Sequence, residues 1–186
     1  EFRDTDTGEH ISRISLFAGK IAEALGMPQH YVEMIRSASP LHDIGKIGIP
    51  DNILLKAGPL TYDEFEIMKG HTLIGEKMLG GSLHPTIQMA ASIALNHHER
   101  WDGSGYPNGL KGDEIPLEGR ILIICDQYDA LRSKRPYKAP FSHEEVRRIL
   151  TVGDGRTMPG HFDPAVLAAF KDLAPIFGEI FSTHQD

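Results

Sequence analysis

The chain has 186 residues, enough for one domain with a substantial core and no covalent staples. Its 26 acidic against 19 basic residues leave a net charge of −7, which argues against capture of long nucleic acid or of an anionic membrane surface. The single cysteine, Cys125, excludes a disulfide framework and a thiolate metal site, and no run approaches the roughly 20 apolar residues of a membrane span. With no signal-peptide pattern at the start, the chain reads as cytoplasmic; the abrupt "EF" opening leaves room for a missing N-terminal sensor or receiver domain.

Taken in chain order, Ile14, Phe17, Ala18, Ile21, Ala22 and Leu25 recur at helical spacing from Gly8 to Leu25 and predict a first helix that stops at Gly26. Tyr31, Met34, Ile35, Ala38 and Leu41 repeat that period after Pro28, predicting a second helix that delivers His42 and Asp43 at its end. Thr61 with Glu64 reads as a capping box opening one helix through about Met78, carrying His71. Pro85 opens another, predicted to carry both His97 and His98, whose adjacent positions on a helix would point about 100° apart. After the glycine-rich "WDGSGYP" loop, "PLEGRILIICDQYDAL" reads as a helix with Ile121, Ile124, Cys125, Tyr128 and Leu131 on one face. Ser142 with Glu145, and Asp163 before Pro164, begin two more. The expected fold class is all-α, in one domain over residues 1–186, with a motif-bearing core over about 5–150 and C-terminal helices over about 151–184.

Histidines and aspartates recur at helix ends and on inward faces beyond what packing requires: His10, His42 with Asp43, His71, His97 with His98, and Asp126. One histidine alone is usually a satisfied core or surface residue, and Asp43 alone could cap a turn. Together, imidazoles and carboxylates from five elements suit divalent first-row ions such as Mn, Fe, Ni or Zn. A carboxylate can bridge two ions, which an imidazole cannot. Two ions about 3.5–4 Å apart can activate water for in-line attack on a phosphodiester and stabilise the leaving oxygen.

The blocks "PLHDIGKIGIPDNILLK", "HTLIGEKML", "NHHERWDGSGYPNGLKGDEIPLEGRIL" and "CDQYDALRSKRPYK" resemble the signature blocks of the HD-GYP domains, bacterial cyclic di-GMP phosphodiesterases of the HD superfamily. "TGEHISRIS" is similar to the opening helix of that family, and the resemblance runs from about residue 5 to 150. It implies an HD-superfamily helical domain with a metal site among its central helices. It also implies hydrolysis of cyclic di-GMP to linear pGpG, and on to GMP.

Carried over residue by residue, the resemblance assigns His10, His42, Asp43 and Asp126 to one ion. Asp43 would bridge to a second, held by His71 and His97, with His98 on the second or on a third. Lys46 would neutralise a phosphate oxygen and assist the leaving group, while Arg135 and Lys138 match positions that grip substrate phosphate or guanine. Asp6, four residues before His10, stands where a glutamate accompanies three ions; it is read as a ligand with His98 and Asp126, against the alternative of an N-cap. Two or three divalent ions per chain, Fe, Mn, Ni or Zn, are the implied cofactors. Asp129 is expected to orient ligands or cap structure rather than bind metal, and Arg13 to be a buried ion-pair partner rather than a catalyst. The GYP loop offers a surface for a protein partner, and a homodimer is left open. Two other readings stand beside the enzyme: a module that binds metal and nucleotide but signals through the GYP loop, and a hydrolase of another cyclic dinucleotide or of a nucleoside phosphate.

Overall fold

Helix α1 (Gly8–Ala24) turns Ile14, Phe17, Ala18, Ile21 and Ala22 inward at the predicted spacing, and all five are fully buried. The computed structural model describes residues 8–134 and 140–184. Among them are α-helices and short 3₁₀ turns and no strand, so the all-α expectation holds. Around α1 pack α2 (Gln29–Ala38), α7 (Leu117–Arg132) and α9 (Pro164–Thr183), while α6 (Pro85–Asn96) closes against α2 and α7. The Phe17 ring stacks on Phe177 with centroids 4.2 Å apart, and Tyr128 meets Phe177 edge-on at 5.2 Å, joining α1, α7 and α9 in one apolar core. Asp6, Arg135 and Lys138 lie outside the described residues.

Two predicted helices are broken, each for a local reason. The second ends at Ala38 rather than running on through Leu41, because Pro40 has no N–H to give the Arg36 carbonyl. The Ser15 hydroxyl donates to that carbonyl instead, at 2.7 Å, and the chain continues as 3₁₀ turns over Ser39–Leu41 and Ile44–Gly48. His42 and Asp43 therefore sit in an irregular corner between two turns. The predicted helix from Thr61 to Met78 divides into α4 (Tyr62–Lys69) and α5 (His71–Leu79). At the break the Gly70 N–H bonds the Ile67 carbonyl, a 3₁₀-type contact that tightens the last turn of α4 and lets α5 set off as a separate helix.

Where a side chain satisfies a helix end, the local pattern was sufficient. Thr61 with Glu64 and Ser142 with Glu145 form the predicted capping boxes of α4 and of α8 (His143–Val152), and Asp163 caps α9 by accepting from Ala165 N at 2.7 Å. A further short helix, α3 (Asp51–Leu54), precedes α4 and was not signalled by the sequence pattern. No helix of the described residues is long and apolar enough to cross a membrane.

Candidate metal centre

The side chains of His10 from α1, His42 and Asp43 from the corner, His71 from the first turn of α5, His97 and His98 from beyond α6, and Asp126 from α7 converge. The corner approaches α5 closely enough that a Cβ on Gly45 would overlap the His71 carbonyl oxygen and lie 2.5 Å from Gly75 N. Only a glycine admits this approach, which brings Asp43 beside His71.

His97 and His98 are not on the helix assigned to them. Helix α6 ends at Asn96, and His97 caps it, its Nδ1 lying 3.0 Å from the Ile93 carbonyl and 3.1 Å from that of Ala94. The two rings consequently do not diverge by a helical step. Their centroids are 4.0 Å apart, and both belong to one group of ligand atoms.

The ligands form two groups, each with its ligand atoms within 4.8 Å of one another: Asp43, His71, His97 and His98, and His10, His42 and Asp126. Asp43 stands between them. Its Oδ1 lies 3.2 Å from His71 Nε2 and 3.5 Å from His97 Nε2, while Oδ2 lies 3.3 Å from His42 Nε2 and 2.7 Å from the Lys46 ammonium. His42 Nε2 is also 3.9 Å from Asp126 Oδ1.

The outer ring nitrogens determine what the inner ones can do. Nδ1 of His42 faces the Ser39 carbonyl at 2.9 Å, Nδ1 of His71 the Met68 carbonyl at 2.8 Å, and Nδ1 of His97 two carbonyls of α6. Nδ1 of His10 faces Asp129 Oδ2 at 2.7 Å. A carbonyl or carboxylate only accepts, so each Nδ1 carries the proton, and each neutral ring turns its Nε2 lone pair inward. His71 Nε2 and His97 Nε2 then face each other at 3.4 Å with the buried Asp43 Oδ1 between acceptors. A cation reconciles three converging lone pairs; no donor among them does. The residues therefore fit divalent ions, with imidazole and carboxylate suited to Mn, Fe, Ni and Zn alike.

Electrostatics point the same way. Burial pulls His97 down against the pull of Asp43, and burial together with His97 pulls His98 well down, so both rings stay neutral ligands. His10 is the exception: burial lowers it, yet the Asp129 hydrogen bond and the Asp126 charge prevail and raise it.

Three residues outside the ligand set shape the centre. Asp129 holds both His10 and the buried Arg13. Asp102 ties the GYP loop internally, accepting from Ser104 N at 2.9 Å and from its hydroxyl at 2.7 Å. Glu99, which no motif singles out, is buried, and its carboxylate accepts from Asn108 N at 2.7 Å and Leu110 N at 3.0 Å, lacing both sides of the GYP loop. Its only sequence signal was a carboxylate directly after two ligands and before a glycine-rich turn.

The family model described as "HD domain" matches residues 3–166. The chain belongs to the HD domain family. Among the curated proteins it is similar to a cyclic di-GMP phosphodiesterase of Thermotoga maritima, 48% identical over 100% of this chain and 50% of that protein. It is also similar to the cyclic di-GMP phosphodiesterase response regulator RpfG of Xanthomonas campestris pv. campestris, 47% identical over 98% of this chain and 48% of that one. The chain thus spans about half the length of these relatives. Among solved structures, the HDG"Y"P protein Bd1817 of Bdellovibrio bacteriovorus superposes with a TM-score of 0.69 at 17% identity, covering 89% of this chain and 51% of that one, a likeness of fold.

Proposed function

We propose that this chain is a metal-dependent phosphodiesterase that opens cyclic di-GMP to linear pGpG and carries the product on to GMP. The observation that carries the reading is Asp43, with one oxygen turned to His71 and His97 and the other to His42 and Lys46, joining two ligand groups in one centre. The relatives whose names specify this activity are 48% and 47% identical over 100% and 98% of this chain. Divalent ions bound there supply a nucleophile from water and neutralise charge on the phosphodiester.

The chain's own contribution is placement. His10, His42 and Asp126 would hold one ion and His71, His97 and His98 another, with Asp43 offering an oxygen to each group. Lys46, already against Asp43 Oδ2, presents an ammonium to a non-bridging phosphate oxygen and favours departure of the leaving oxygen. Arg135 and Lys138 grip phosphate or guanine, as the block they match implies, and Asp6 adds a ligand for a third ion by its spacing, four residues before His10. The single buried free thiol, Cys125, suits a reducing, cytoplasmic setting.

Product chromatography with cyclic di-GMP, on protein loaded anaerobically with Mn or Fe, tests the reading. Wild type should release pGpG and then GMP, and Asp43→Asn should release neither while keeping its helical circular dichroism. Binding of cyclic di-GMP without turnover would make the chain a signalling module instead. Preferential cleavage of a mixed guanine–adenine cyclic dinucleotide would move the substrate.

A further inference from the structure

Four of the five site imidazoles have a ring nitrogen committed to an oxygen acceptor: His10 to Asp129, and His42, His71 and His97 to main-chain carbonyls. His98 does not. Among the described residues its ring makes no hydrogen bond, and its surroundings are other rings: His97 at 4.0 Å, His71 at 5.2 Å nearly edge-on, and Tyr106 stacked at 4.7 Å with planes 29° apart. A ligand ring without an oriented N–H partner needs some other restraint on its torsion, and a flat aromatic wall supplies one.

We infer that Tyr106 is a positioning residue for the metal centre, its ring fixing the plane of His98 in place of the hydrogen bond that orients the other ligands. The loop is built to press it there. Tyr106 N donates to the His98 carbonyl at 3.2 Å, folding the loop back on the ligand that it serves. A Cβ on Gly105 would overlap Arg100 N and lie 2.6 Å from both Glu99 Cα and the His98 carbonyl oxygen, so only glycine lets the loop close this far. Glu99 ties the loop beyond Tyr106 through Asn108 N and Leu110 N. Tyr106 is also met edge-on by Phe65 at 6.0 Å, and the Lys69 ammonium lies 5.7 Å from its centroid, so the phenol ring touches α4 as well as His98. The GYP segment thereby becomes part of the metal centre's second layer, through its ring and not through its hydroxyl.

This inference rests on the metal-binding part of the proposed function and is independent of the substrate. Metal-stripped full-length protein is titrated with Mn²⁺ by calorimetry, with ion content checked by elemental analysis. Tyr106→Ala should weaken one class of Mn²⁺ site by about 10–100-fold, the usual cost of losing a partner that orients a ligand, and leave the other class unchanged. Tyr106→Phe, which keeps the ring and loses the hydroxyl, should restore wild-type affinity. Tyr106→Leu fills similar space without an aromatic face and should behave as alanine; it decides the matter on the same criterion if the alanine variant does not fold. Wild-type Mn²⁺ affinity in folded Tyr106→Leu overturns the proposal, and so does an equal loss in Tyr106→Phe, which would move the role to the hydroxyl. Failure to cleave cyclic di-GMP leaves it standing, because the readout is the ion.

Discussion

Arg13 grips Asp129 with two nitrogens, Nε donating to Oδ1 at 2.6 Å and Nη2 to Oδ2 at 3.0 Å, and both residues are buried between α1 and α7. The same carboxylate holds the His10 ring at 2.7 Å, so one ion pair supports both the helix packing and a candidate metal ligand. We expect Asp129→Asn to destabilise the fold by about 3–5 kcal/mol, because it removes the opposing charge from a buried guanidinium whose other partners include neutral acceptors such as the His184 carbonyl. It should also weaken the ion at His10, His42 and Asp126. Urea unfolding and Mn²⁺ titration read the two effects separately.

The same pair sets a dependence on acid. Burial would raise the Asp129 carboxyl, but its bonds from His10 and Arg13 prevail and hold it below the ordinary range. A carboxylate with a depressed folded pKa contributes stability above its unfolded value, about 3.9, and loses it as pH falls through the folded one. Metal-free protein should therefore keep this contribution at pH 5–7 and lose it below about pH 4. A urea midpoint that falls no further in wild type than in Asp129→Asn on acidification would refute the assignment.

Ion release should also be ordered by pH. Ligation needs neutral imidazoles, and the ordinary histidine value is about 6.5. The His10 pKa is raised, whereas those of His97 and His98 are lowered, so falling pH protonates His10 first. Dialysis at stepped pH should remove the ion of the His10 group before that of the His71, His97 and His98 group. Replacing His10 should abolish the earlier step in elemental analysis.

Gly45→Ala introduces a methyl group against the His71 carbonyl and Gly75 N, which are backbone atoms that cannot rotate away. The corner must retreat from α5, at about 1–3 kcal/mol by the usual cost of overpacking. Because Asp43 moves with it, activity should fall further than stability does. Thermal unfolding beside turnover per bound metal distinguishes the two.

Glu99→Ala removes the acceptor for Asn108 N and Leu110 N. Each N–H left without a partner should cost about 1–3 kcal/mol if it stays buried, and the lower end applies here because Asn108 is exposed. The loop should loosen before the helices do. Amide hydrogen exchange over residues 103–110 should rise in the variant while α1 and α7 stay protected.

Local pattern sufficed for much of this molecule. The period of Ile14, Phe17 and Ile21 defined α1, the Ser142–Glu145 and Asp163–Pro164 pairs marked where α8 and α9 begin, and the spaced blocks nominated the residues that the structure assembles. Capping and amphipathic spacing act over a few residues, so a few residues report them. The breaks at Pro40 and Gly70 have local causes that periodicity passes over, but their consequences are tertiary: the Arg36 carbonyl freed at Pro40 accepts from Ser15 of α1, and the break at Gly70 leaves His71 Nδ1 facing the Met68 carbonyl. His97 and His98 read as diverging neighbours on a helix, whereas α6 has ended and both rings turn to one group of ligands. Periodicity carries no term for close approach between segments remote in sequence. That approach, through Gly45 at His71 and Gly105 at His98, is what brings the candidate ligands into their two groups and folds the GYP loop onto His98.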